Sequence, residues 1–161
     1  MSVQHIIHEG GIAGLLARVR KGEFTVDVGV LEGAGNETDA DGKDAGVTLA
    51  TVAAANNFGT ISVGGNIPER DFFGHGLALT KDKRQRLNTI NLANVVRGKQ
   101  TIPKALGQLG AMAAGGIKEA IGTSKQWAKE NAQSTKDQKG SDQPLKDTGN
   151  LEQAITWAES K

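Results

Sequence analysis

The chain has 161 residues, a length suited to one domain, with 37% apolar residues, only 4% aromatic and 22 glycines, so the expected core is modest and built from Ala, Val, Ile and Leu. Its 19 basic and 18 acidic residues leave a net charge of +1, which gives no global field for nucleic acid or an anionic membrane and restricts any such binding to local patches. With no cysteine, disulfides, thiolate metal sites and a cysteine nucleophile are excluded together.

The first residues carry Glu9 and neither an early basic cluster nor an unbroken apolar run, so they do not read as a signal peptide. No window reaches the roughly 20 apolar residues of a membrane span. A soluble protein made in a reducing cytoplasm is the expectation.

Ile12, Leu15, Leu16 and Val19 recur at helical spacing before Lys21-Gly22, which predicts a short amphipathic helix. The next segment alternates, with Phe24, Val26, Val28 and Val30 on one face and Thr25, Asp27 and Gly29 on the other, and predicts a strand buried on one side. Residues 32–46, "EGAGNETDADGKDAG", are rich in glycine and acids and hold no large apolar side chain, so a mobile loop is expected. Leu49, Val52, Ala53 and Phe58 then predict a packed helix, with Gly59 suited to a left-handed C-terminal cap. "TISVGGN" predicts a strand or hairpin tip in which Gly64-Gly65 supplies positive φ.

Beyond Pro68, Leu87, Ile90, Ala93 and Val95 or Val96 repeat along a helix that Thr80 can cap and Gly98 ends. Thr101-Ile102-Pro103 opens another helix, with proline early in the first turn. Its stripe is Ile102, Leu106, Leu109, Ala113, Ile117 and Ile121, continued by Trp127 or Ala128. Gly107, Gly110, Gly115 and Gly116 lie inside it, each costing up to about 1 kcal/mol relative to Ala. Either another backbone comes close there, or the helix kinks, or the glycines are tolerated drift. Residues 131–143 read as a second mobile loop, after which Asp147 or Thr148 caps one helical turn before a closing strand through Ile155 and Trp157.

Motifs for chemistry are weak. His5 and His8 could share a helix face beside Glu9, but H-E-x-x-H is absent, and His75 stands alone between glycines as a surface-loop residue. The stretch from Glu37 to Thr48 resembles a calcium loop at Asp39, Asp41 and Gly42, yet puts Thr48 where a bidentate Glu must stand. Gly42-Lys43 has neither the upstream glycine nor the following hydroxyl of a P-loop. Lys81, Lys83, Arg84, Arg86, Arg97, Lys99 and Lys104 face a single acid, Asp82. That is either a solvated face that pairs with an acidic neighbour or a local phosphate- or DNA-binding module, without interleaved aromatics for base stacking. No metal or cofactor is expected.

Two segments taken together carry a resemblance. Phe58-Gly59-Thr60 followed by Ile67-Pro68, Arg70 and Phe72, and Lys139-Gly140-Ser141 followed by Pro144-Leu145, Asp147-Thr148-Gly149, Leu151 and Ile155, stand in order along the chain. This arrangement resembles the neck, head-tail connector and tail-completion (tail terminator) proteins of tailed bacteriophages, in which F-G-T precedes I-P-x-R-x-F and a basic-Gly-Ser loop leads to P-L-x-D-T-G-x-L-x-x-S-I. Three positions depart from that pattern: Asn57 where Glu is commoner, Asp71 where a second Pro is common, and Ala154 where Ser is.

The resemblance implies a single α+β domain over residues 1–161, a small twisted, mainly antiparallel sheet packed against long helices. It implies a virion structural protein without catalysis or cofactor, made in the host cytoplasm. Such a protein forms a homo-oligomeric ring of six or twelve copies in the neck, between the head connector and the tail. Other connector and tail proteins are its partners, and DNA passes through without sequence-specific binding.

Rings close through heterologous contacts, so Asp39, Asp41 and Asp44 are candidate interface residues against Arg84 and Arg86. Glu69 and Arg70 are candidates for an intrachain or intersubunit ion pair. Of Phe72 and Phe73, one is expected to pack inward and the other to cover a loop or contact a neighbouring subunit. Phe58 closes the packed helix, Gly59 reverses the chain, Pro68 fixes its entry into the long helices, and Pro144, Asp147 and Gly149 form the matching C-terminal junction.

Overall fold

The computed structural model describes residues 24–39, 41–62 and 65–160. The helix expected at 12–19 and the pair His5 and His8 lie outside them.

Two strands from opposite ends of the chain form the sheet under the core. Strand β1 (Thr25–Val30) pairs antiparallel with β6 (Ile155–Ser160), Val28 opposite Trp157 and Val30 opposite Ile155. Residues directly opposite share a face, so the apolar half of the β1 alternation gains Ile155 and Trp157. That face lies on helix α4 (Ile102–Gly122). Thr101 caps α4, its hydroxyl accepting from the Lys104 N–H, and Pro103 sits in the first turn.

The α4 glycines are sites of close approach. A Cβ at Gly107 would stand 2.8 Å from the Trp157 ring and one at Gly110 2.6 Å from Val26 Cγ2. On the opposite side α4 crosses helix α2 (Phe72–Leu79), where a Cβ at Gly116 would meet the Gly76 carbonyl oxygen at 2.5 Å, and one at Gly76 would meet Ile117 Cα at 2.4 Å. Backbone lies against backbone there. Gly115 faces open space and is the exception. Phe72, Ile117, Ile121 and Ile155 are fully enclosed, with Ala114, Ala120, Leu145 and Leu151 around them.

Helix α3 (Lys81–Val96) follows α2 directly; Leu87, Ala93 and Val95 of its expected stripe are half-buried, and Ile90 departs from it. Ile90, Leu92 and Val96 are exposed, and the one fully buried residue is Asn91, whose amide donates to the Ala105 carbonyl on α4 at 3.1 Å and accepts from Gln100 at 3.3 Å. Thr80 does not cap α3; its hydroxyl donates back to the Gly76 carbonyl at 3.3 Å.

Helix α1 (Leu49–Phe58) forms as expected, capped by Thr48, but Phe58 does not close a packed helix: it is 74% exposed, and Asn57 is buried in its place. Gly59 does take positive φ (73°), with an extended ψ of 167° that is not the left-handed cap. The chain leaves α1 straight into a hairpin of β4 (Thr60–Ser62) and β5 (Gly65–Ile67). Gly65 pairs with Ser62 inside that ladder as a strand residue, and Gly64 lies outside the described residues.

The two stretches expected to be loops contain regular structure. Within 32–46 and just beyond it, β2 (Asn36–Thr38) and β3 (Asp44–Thr48) form a hairpin. Helix α5 (Gln133–Lys139), stopped by left-handed Gly140, occupies the middle of 131–143. Neither has an apolar periodicity to announce it. The continuation of α4 through Trp127 also fails: the helix stops at Gly122, a 3₁₀ turn spans Ser124–Gln126, and Trp127 folds back to donate Nε1–H to the Ala120 carbonyl at 2.9 Å. Helix α6 (Asn150–Ala154) is the expected single turn, but Gly149 at φ 89° occupies its cap position instead of Asp147 or Thr148. The class is α+β, with the strands among the described residues in three separate two-stranded antiparallel ribbons.

Candidate functional site

The two segments that carry the resemblance converge on one groove of about 320 Å³, whose lining includes Ile67, Pro68, Arg70, Asn131, Asp147 and Asn150. Pro68 has no N–H to offer a neighbouring strand, and at Pro68–Arg70 the chain leaves β5 without regular structure. Asp71 then caps α2, its Oδ1 accepting from the Gly74 N–H at 2.7 Å.

Arg70 is the centre of the arrangement. It is 5% exposed, and its guanidinium donates Nε–H to the Lys129 carbonyl at 2.7 Å, Nη1–H to Asn56 Oδ1 at 3.2 Å, and Nη2–H to the Glu130 carbonyl at 3.1 Å and Asn131 Oδ1 at 3.0 Å. Its own N–H is held by the Asn56 carbonyl at 2.9 Å. All these acceptors are neutral. Burial pushes the guanidinium pKa down from its ordinary value, while the multiple hydrogen bonds keep the cation solvated by protein. One side chain thus joins the end of α1, the entry to α2 and the strap at 129–131. No intrachain Glu69–Arg70 ion pair forms: Glu69 is exposed, and Arg70 gives four of its five donors to amides and carbonyls.

The C-terminal half of the groove is built by the residues around Gly149. Asn150 donates from Nδ2 to Glu37 Oε1 at 2.9 Å and Thr38 Oγ1 at 2.7 Å, and the Thr148 hydroxyl donates to the same Glu37 oxygen at 2.8 Å. The D-T-G-N run therefore clamps the β2–β3 hairpin to the body of the domain. Upstream, Pro144 is fully buried, its carbonyl accepting from the buried Ser124 hydroxyl, and Leu145 is held at φ 60° with its side chain in the core. Asp147 is exposed at the groove edge.

The remaining candidates are scattered. Phe72 is fully buried in the core and is no interface residue; Phe73 stacks on it at 4.5 Å and has its N–H held by Asn57 Oδ1 at 3.2 Å. Arg84 is half-committed inside the chain, donating to the Leu77 carbonyl at 2.8 Å and the Thr80 hydroxyl at 3.1 Å, whereas Arg86 is exposed. Asp39 and Asp44 are turn builders: Asp39 Oδ1 accepts from the N–H groups of Asp41 and Lys43, and Asp44 accepts from the Asn36 amide and the Gly46 N–H. The Asn36 bond in particular holds the Asp44 carboxyl below the usual carboxylate range. Asp41 is exposed at the hairpin tip. His75 is not in a loop but on α2, stacked on Trp127 at 4.3 Å. Among the described residues no group of three or more metal-ligating side chains occurs, and no helix is long and apolar enough to cross a membrane.

Sequence reasoning missed Asn56, Asn57, Asn91 and Asn131, the amides that hold these segments together. The one signal was at Asn57, which stands where Glu is commoner in the pattern that the chain resembles. No family model, curated protein or solved structure matches this chain.

Proposed function

We propose that the chain is a virion structural protein of a tailed bacteriophage, a subunit of a homo-oligomeric ring in the neck that joins the head connector to the tail. The observation that carries this reading is the convergence of I-P-x-R and P-L-x-D-T-G on one groove, where their residues act on chain segments and not on a small molecule. Arg70 spends its donors on backbone carbonyls and amides, and Thr148 and Asn150 spend theirs on Glu37. These are the roles of a structural junction.

A second feature supports assembly. Phe58, Ile61, Ile90, Leu92 and Val96 are all large apolar side chains left between 49% and 94% exposed on a chain whose core is small. Exposed apolar area of this kind marks interaction surfaces. Helix α3 carries its charges in residues 81–86, while its second half is uncharged and exposes Ile90, Leu92 and Val96, which suits a protein neighbour better than a phosphate backbone.

Negative-stain images and native mass spectrometry of the purified protein test the reading, and closed rings of a single stoichiometry are expected. Monomers at every concentration, together with a salt-dependent shift of a DNA duplex, would replace it with a phosphate-binding module built on α3.

A further inference from the structure

We infer that the β4–β5 hairpin of one copy seats Phe58 and Ile61 in the groove between β1, α2, α3 and α4 of the next copy, and that this contact propagates the ring. The inference rests on the ring reading above and names the two surfaces that meet.

The donor surface is an apolar projection. Phe58 is 74% exposed at the end of α1 and Ile61 94% exposed on β4, three residues on, both largely uncovered by the described residues of this chain. Glu69 lies against the turn between them, since a Cβ at Gly59 would stand 2.8 Å from the Glu69 backbone nitrogen. Glu69 is exposed, its backbone next to the residue that follows Phe58, and the neighbouring cation, Arg70, is buried.

The acceptor surface is an open groove of about 530 Å³ with a floor of Val26, Val28, Leu77, Leu109 and Ala113. Lys81 and Arg84 stand on its rim, and no carboxylate is among its lining residues. An apolar projection flanked by an acid therefore faces an apolar recess flanked by bases. Glu69, which finds no cation within its own chain among the described residues, has Lys81 of the neighbouring copy as its partner. The two surfaces share no residue, so the contact is heterologous: each copy offers one hairpin and one groove, and a chain of such contacts closes into a ring when the rotation permits.

The absence of native cysteine makes the contact directly testable. Two full-length single-cysteine variants, Ile61→Cys and Leu109→Cys, are mixed under mild oxidation and run on a non-reducing gel; a disulfide requires the two Cα atoms to come within about 7 Å. The mixture should give a cross-linked dimer several-fold above either variant alone. Glu69→Cys with Lys81→Cys repeats the readout at exposed positions, where substitution does not threaten the fold. Rings in the micrographs without either cross-link would overturn the inference and leave the neck reading standing. Wild-type protein that forms no ring would overturn both. A double variant, Leu15→Cys with Leu109→Cys, that closes within one chain would give the groove to residues 1–23 and overturn the inference as well.

Discussion

Helices α3 and α4 are neighbours in sequence and pack against each other, yet they bury themselves by opposite means. Over 21 residues α4 buries nine, all of them Gly, Ala or Ile, and meets its neighbours through missing side chains, with the Gly76–Gly116 crossing and the Trp157 ring over Gly107 and Gly110. Over 16 residues α3 buries one, an asparagine, and leaves Ile90, Leu92 and Val96 in solvent. Close packing is thus a property of the few positions where backbones can touch, and the count of large apolar side chains on a helix says little about it.

The largest effect is expected at the glycine crossing. In Gly76→Ala the new methyl would press on the backbone of Ile117, which cannot rotate away, and a loss of about 3 kcal/mol is expected in urea unfolding. A loss below about 1 kcal/mol would mean that the helices separate easily and that the contrast is one of degree. Arg70→Met comes next. It strips donors from the carbonyls of Lys129 and Glu130 and from two asparagines, at a cost of about 3 kcal/mol that Arg70→Lys does not recover, because an ammonium lacks the guanidinium fork.

On α3 the one fully buried side chain is an amide. Asn91→Leu leaves the Ala105 carbonyl without its side-chain donor and should cost about 1–2 kcal/mol, read in the same unfolding experiment. Gly115→Ala sharpens the comparison from the other side: the site is open, so the variant should gain up to about 1 kcal/mol, in contrast to its neighbour Gly116.

The smallest effect is electrostatic and sits on the β2–β3 hairpin. The Asp44 carboxyl is held below its ordinary value by the Asn36 amide and the Gly46 N–H, so its contribution is present above the unfolded pKa and is lost as pH falls below about 4 through the folded one. Melting temperature should fall over that acid range, and Asp44→Asn should flatten the part of the fall that belongs to the hairpin.

What was legible in the chain follows from how local each cause is. The β1 alternation at Val26, Val28 and Val30, the start of α4 at Ile102 with Pro103 in its first turn, and the single turn before β6 each depend on residues close in sequence and stand where they were expected, whereas Phe24, expected on the buried face of β1, is 40% exposed. Helix α2 escaped because "FFGHGLAL" has two glycines and no polar face, although Asp71 supplies a side-chain cap. The β2–β3 hairpin escaped because its stability comes from Glu37, whose partners Thr148 and Asn150 lie more than 100 residues away.

The sequence alone determined the α+β class, the places of β1, α1, α3, α4 and β6, the lack of any thiol chemistry, and the two motif segments with their order. Only the tertiary structure decided that those segments meet in one groove, that Phe72 is core while Phe58 is bare, and that Arg70 answers to carbonyls instead of Glu69. The physical reason is range. Propensity, capping and periodicity act within a few residues, whereas burial and hydrogen-bond satisfaction depend on which distant segments arrive together.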